Sequence, residues 1–181
     1  MNTANKLTML RVVMIPLFLI LLYRQFPFHL YLALAVFILA SITDFIDGYI
    51  ARHYHQVTDF GKFMDPLADK VLVMAAMVWF VEVGQMPAWA LLVVIVREFA
   101  VTALRLVAVD GGKVIAAGKS GKVKTASTMV CICVMLIRPL AMVWLWAFSL
   151  NQLCVAVIVS TTVYSGLEYF LQNKELLDWT K

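Results

Sequence analysis

Apolar residues in this chain gather into six long runs, near Leu7–Tyr23, Phe28–Thr43, Asp69–Val83, Ala88–Val109, Thr125–Ile137 and Phe148–Leu171. The runs are continuous rather than alternating, which predicts helices and not strands. A membrane-spanning helix needs about 20 mostly apolar residues. Several runs are shorter than that. The flanks of the second, third and fifth are therefore expected to be helical too, carrying charged residues to the membrane edge. Breakers mark the divisions: Pro27, then Gly84 and Pro87, then Gly111, Gly112 and Gly118, then Arg138–Pro139. Of the 181 residues 63% are hydrophobic, against roughly 45–50% in a soluble domain. One buried core does not absorb that excess. The expected architecture is an all-α integral membrane protein of six transmembrane helices, forming a single domain over 1–181.

The start of the chain does not read as a cleaved leader. Met1–Thr8 holds one lysine, and the apolar run after it leads into further runs instead of a small-residue cleavage site. Without an organellar leader, the expected location is a bacterial inner (cell) membrane. Cys131, Cys133 and Cys154 all fall in apolar runs without CxxC spacing, and are read as small packing residues. Trp79, Trp89, Trp144, Trp146 and Trp179 are read as interfacial anchors.

Charge gives the orientation. Lys6, Arg11, Arg52, Lys62, Arg105, Lys113, Lys119, Lys122, Lys124, Lys174 and Lys181 fall at the termini or at the 2–3 and 4–5 links. Arg24 and Arg138 fall on the other side. Positive charge collects on the cytoplasmic side, so both termini are expected there. The net charge of +4 suits anionic headgroups. No clustered basic face with aromatic platforms is present, which argues against nucleic acid as a partner.

The chemistry lies in one polar segment. Asp44 and Asp47 are three apart and Asp65 and Asp69 are four apart, so on helices each pair shares a face. Gly48 and Ala51 leave the first of these faces almost without side-chain bulk. A short link sets the two helices side by side, letting four carboxylates converge at one cytoplasmic membrane edge. Such a group is repulsive and poorly hydrated, and marks function by default. Either protonation of some carboxylates or bound cations would relieve the repulsion, and all-oxygen ligands suit Mg²⁺ or Mn²⁺. Two ions sharing these ligands suit phosphoryl transfer.

The same segment matches D-x2-D-G-x2-A-R-x8-G-x3-D-x3-D at Asp44, Asp47, Gly48, Ala51, Arg52, Gly61, Asp65 and Asp69. With these residues the chain resembles the CDP-alcohol phosphatidyltransferase family. The resemblance implies a six-helix bundle, a homodimer, and a polar cavity open to the cytoplasm. It also implies two divalent metal ions held by Asp44, Asp47, Asp65 and Asp69, and a CDP-lipid seat involving Gly48, Ala51, Arg52 and Gly61. Asn5-x-x-Thr8-x-x-Arg11, Asp65-Pro-Leu-Ala-Asp-Lys70, Arg97-Glu98 with Arg105, and Gly121-Lys-Val-Lys-Thr125 resemble the branch that uses glycerol 3-phosphate. Asn5 and Thr8 join the CDP-lipid seat on that resemblance.

The implied reaction moves the phosphatidyl group of CDP-diacylglycerol to glycerol 3-phosphate and releases CMP. Asp69 is the expected general base. The acceptor's phosphate calls for cations, and Arg97, Arg105, Lys119 and Lys122 are the candidates, with Lys124 ranked beside Lys119; Arg97 also has a structural alternative, pairing with a nearby carboxylate. Inositol phosphate, serine and phosphatidylglycerol are the rival acceptors. Cation or proton transport is a rival class, disfavoured because no second acidic layer completes a path across the membrane.

Overall fold

A computed structural model describes the backbone of residues 3–53, 59–110, 118–137, 144–145 and 148–174, and their side chains except at 3–7, 44–53, 59–63, 65, 66, 69, 110, 144, 145 and 148. Among these residues there are six helices: α1 (Thr3–Tyr23), α2 (His29–His53), α3 (Asp59–Glu82), α4 (Ala88–Asp110), α5 (Lys119–Leu136) and α6 (Leu150–Gln172). A two-residue antiparallel pair, β1 (Trp144–Leu145) with β2 (Phe148–Ser149), precedes α6 and pairs Trp144 with Ser149 and Leu145 with Phe148.

The flanking segments are helical, as the shortness of the apolar runs requires. α2 runs past Thr43 to His53, α3 begins at Asp59, and α5 begins at Lys119. Two boundaries differ from the apolar pattern. The sixth run was placed from Phe148, but Phe148 is in β2 and the helix starts two residues later. The cause is a capping box: the Ser149 hydroxyl accepts from the Gln152 amide at 3.3 Å, and the Gln152 side chain accepts from the Ser149 amide at 3.1 Å. The second run was placed from Phe28, which instead takes a left-handed conformation (φ 67°) and precedes the helix. Between α3 and α4, Gly84 adopts φ 73°, and the Gln85 and Met86 amides fold back onto the Phe80 carbonyl at 2.8 and 3.1 Å.

Side-chain links fix which helix ends lie together. The Tyr23 hydroxyl, at the end of α1, donates to the Glu82 carboxylate at the end of α3. The Asn151 amide, at the start of α6, donates to the Gln85 carbonyl between α3 and α4. The helices therefore alternate in direction. The C-terminal half of α2, the start of α3, the end of α4 and the start of α5 share the opposite end.

α1 packs on α2 and α3, while α6 packs on α4 and α5. Phe18, Phe37, Met77, Phe80, Ile132, Met135 and Ile158 fill the core, with the Phe18 and Phe37 rings 5.7 Å apart. Ala33, Ala40, Ala76 and Ala90 are fully buried where backbones approach closely. Cys131 and Cys154 are buried as packing residues. Trp79 is not an interfacial anchor: it is 4% exposed and packs on Phe80. Trp89, by contrast, is exposed.

The outer surface is equally apolar. Leu10, Val13 and Leu17 on α1, Leu39 and Ile42 on α2, Phe99 and Leu106 on α4, and Leu167 and Leu171 on α6 are all exposed. Helices that are apolar on both inner and outer faces match lipid, not water. Among the described residues only α6, at mean hydropathy 1.5, is long and apolar enough to cross a membrane by length and composition alone.

Candidate active site

The acidic motif is divided between two helices. α2 carries Asp44, Asp47, Gly48, Ala51 and Arg52 in its C-terminal half, and α3 carries Gly61, Asp65 and Asp69 in its N-terminal half. Helical backbone runs through both stretches, so each aspartate pair keeps the register that sets it on one helix face. The chain from 54 to 58 that joins them is too short to cross the bundle, and both stretches sit at the same end. The side chains of these eight residues, and of Asn5, lie outside the described residues. Among the described residues no group of three or more His, Cys, Asp or Glu gathers. The aspartate quartet, expected from the sequence to supply oxygen ligands to a hard cation, lies outside that set of side chains, and what the backbone gives of it is the helical register.

Next to the quartet in sequence, Lys70 begins a charged cluster joining three helices. Its ammonium donates to the Thr102 hydroxyl at 2.9 Å and lies 3.9 Å from the Glu98 carboxylate, both on α4. Glu98 also accepts from Arg97 at 3.1 Å and from Lys124 on α5. The cluster is sheltered: the side chains of Lys124, Arg97 and Glu98 are 7%, 13% and 14% exposed, while Lys70 is more open. The early turns of α5 supply Lys124 inward because Lys119, Lys122 and Val123 face outward.

Arg97 lies in a slot cut by two glycines. A Cβ on Gly166 of α6 would meet Arg97 Cγ at 3.2 Å, and one on Gly121 of α5 would meet Arg97 Nη2 at 3.7 Å. Its Nε is buried and unpartnered among the described residues. Arg105, two turns further along α4, is exposed. Its Nε donates to the Tyr169 hydroxyl of α6 at 3.1 Å, with the guanidinium carbon 5.5 Å from the ring centre. Arg97 and Arg105 thus both meet α6, as their spacing predicts, and Arg97 does pair with a neighbouring carboxylate.

Lys119 and Lys122 remain exposed at the start of α5 and are not drawn into the Glu98 cluster. Lys119 instead borders a groove of about 460 Å³ between α5 and α6, walled by Val123, Thr161, Tyr164 and Glu168. On α1, Thr8 and Arg11 are each 1% exposed, and both have partners.

In the sequence Lys70, Glu98 and Arg11 stand out only as members of motifs, without a role, and Lys124 ranks last with Lys119 among the acceptor-phosphate cations. A usable signal existed for two of them. Arg11 and Glu98 are charges within apolar runs, the feature that singled out Arg97 and Arg105. Lys70 and Lys124 sit at run edges, where a lysine normally faces headgroups.

Comparison with known proteins gives the family. The profile of the family described as CDP-alcohol phosphatidyltransferase matches residues 1–164. The chain is 43% identical, over 97% of each sequence, to the Bacillus subtilis (strain 168) protein named CDP-diacylglycerol--glycerol-3-phosphate 3-phosphatidyltransferase. It is 36% identical, over 98% of each, to the proteins of that name from Salmonella typhimurium (strain LT2) and Shigella boydii serotype 4 (strain Sb227).

Proposed function

The chain belongs to the CDP-alcohol phosphatidyltransferase family, and from that premise we propose that it transfers the phosphatidyl group of CDP-diacylglycerol to glycerol 3-phosphate, giving phosphatidylglycerophosphate and CMP. The observation that carries this reading is the near-complete alignment with relatives named for that reaction. The aspartate motif and the cation cluster at the same end of the bundle support it.

We read the protein as six membrane-spanning helices with the aspartate end at the cytoplasmic face of a bacterial inner membrane, acting as one domain and as a homodimer. The exposed apolar surface supports lipid around the helices. The excess of lysine and arginine at the aspartate end supports its cytoplasmic orientation.

Asp44, Asp47, Asp65 and Asp69 would hold two divalent cations, Mg²⁺ or Mn²⁺. When bound, these supply charge neutralisation for a diphosphate and for the charge developing at phosphorus. The remaining work falls to the chain's own residues. Gly48 and Ala51 clear one face of α2 for the cytidine. Arg52, Gly61, Asn5 and Thr8 complete the donor seat. Arg97, Arg105, Lys119 and Lys122 attract the acceptor's phosphate, the arginines as fixed forks and the lysines as mobile charges. Asp69 takes the proton from the acceptor hydroxyl as its oxygen attacks the phosphorus bearing diacylglycerol, and the bond to CMP breaks.

The test supplies purified protein in lipid nanodiscs with radiolabelled CDP-diacylglycerol and, in parallel, glycerol 3-phosphate, inositol phosphate, serine or phosphatidylglycerol. Phosphatidylglycerophosphate formed together with CMP is expected. A different lipid product would reassign the acceptor, and ion flux without CMP release would remove the enzyme reading.

A further inference from the structure

We propose that Glu98 is a positioning residue for the acceptor: it gathers Lys70, Arg97 and Lys124 from three helices into a cationic seat for a phosphomonoester. The inference rests on the acceptor assigned above. Glu98 itself need not touch that acceptor.

The convergence of donors motivates it. Glu98 alone draws cations from three helices to one point, Lys70 at 3.9 Å, Arg97 at 3.1 Å and Lys124 in direct contact. Converging guanidinium and ammonium donors are what a phosphate monoester requires. Arg97 also keeps its Nε buried without a partner among the described residues, a donor not consumed by Glu98. Lys70 adjoins Asp69 in sequence, so the seat and the proposed base draw on the same turn of α3. Without Glu98, three like charges would repel one another, and the two lysines, on flexible stems, would disperse.

The experiment compares Glu98→Gln and Glu98→Asp with the parent protein, measuring KM separately for glycerol 3-phosphate and for CDP-diacylglycerol in nanodiscs. Glu98→Gln keeps the shape and removes the charge. The expected result is an acceptor KM raised about tenfold or more, with donor KM unchanged within about twofold, the size set by charge-assisted hydrogen bonds. Glu98→Asp retains the charge at shorter reach, and an intermediate acceptor KM is expected. Equal rises in both KM values, or an unchanged acceptor KM, would overturn the proposal. If Glu98→Gln does not yield monodisperse protein, the same split in Glu98→Asp decides. Turnover of the parent protein with glycerol 3-phosphate tests the assigned reaction by itself, so the two readings fail separately.

Discussion

Gly166 on α6 stands against the stem of Arg97 on α4 so closely that a methyl group in its place would lie 3.2 Å from Arg97 Cγ. The absence of a side chain there is what lets α6 close over the guanidinium. Overpacking a fitted site costs about 1–3 kcal/mol. Gly166→Val is therefore expected to lower thermal stability in detergent by an amount in that range. It should also raise the acceptor KM, because Arg97 must move. Gly121→Ala, whose methyl would sit 3.7 Å from Arg97 Nη2 at ordinary contact distance, is the comparison and should change both quantities little. Equal behaviour of the two variants in thermal unfolding and acceptor kinetics would remove the slot.

The proposed base gives a sharper expectation. Asp69→Asn should lower kcat by about two to four orders of magnitude, the usual yield of general acid–base catalysis. CDP-diacylglycerol binding should remain measurable by calorimetry. Chelation of divalent ions should abolish CMP release, and added Mg²⁺ or Mn²⁺ should restore it. Full turnover by Asp69→Asn would take this residue out of the reaction.

Much of this arrangement was legible before any coordinates. Continuous apolar runs specify the helices, and the need for about 20 residues per span predicts the helical flanks of α2, α3 and α5. Asp44, Asp47, Asp65 and Asp69 announce themselves by helical spacing. The start of α6 was also legible, since Ser149-x-x-Gln152 is a capping signature; the apolar Phe148 drew the boundary too early. Of the Glu98 cluster only the pairing of Arg97 with a nearby carboxylate was legible. Which of Lys119, Lys122 and Lys124 turns inward depends on the rotation of α5 against α4, and local sequence does not encode that rotation. The burial of Trp79 likewise follows from how α3 packs among its neighbours.

Arg105 and Tyr169 allow the exposed part of the proposed phosphate seat to be dissected. Arg105→Ala removes the guanidinium and should raise the acceptor KM while leaving donor KM alone. Tyr169→Phe keeps the ring beneath the guanidinium and removes only the hydroxyl that accepts from Nε. It should therefore give a smaller rise, within the roughly 0.5–1.5 kcal/mol of one hydrogen bond. Steady-state kinetics with acceptor and donor varied in turn would measure both. An acceptor KM unchanged in Arg105→Ala would exclude Arg105 from the seat.

The far end of the bundle supplies the control. Tyr23 and Glu82 are joined by a hydrogen bond between the ends of α1 and α3, opposite the aspartate motif, and both are exposed. If chemistry is confined to the other end, this link contributes only to holding the helices in place. Tyr23→Phe leaves the ring and deletes the donor. For an exposed hydrogen bond the loss should not exceed about 1 kcal/mol of stability. Both KM values and kcat should match the parent protein. Measured beside Glu98→Gln in one nanodisc preparation, this variant separates a general loosening of the bundle from a loss specific to the acceptor. Should Tyr23→Phe shift the acceptor KM as far as Glu98→Gln does, the assignment of the reaction to the aspartate end would fail.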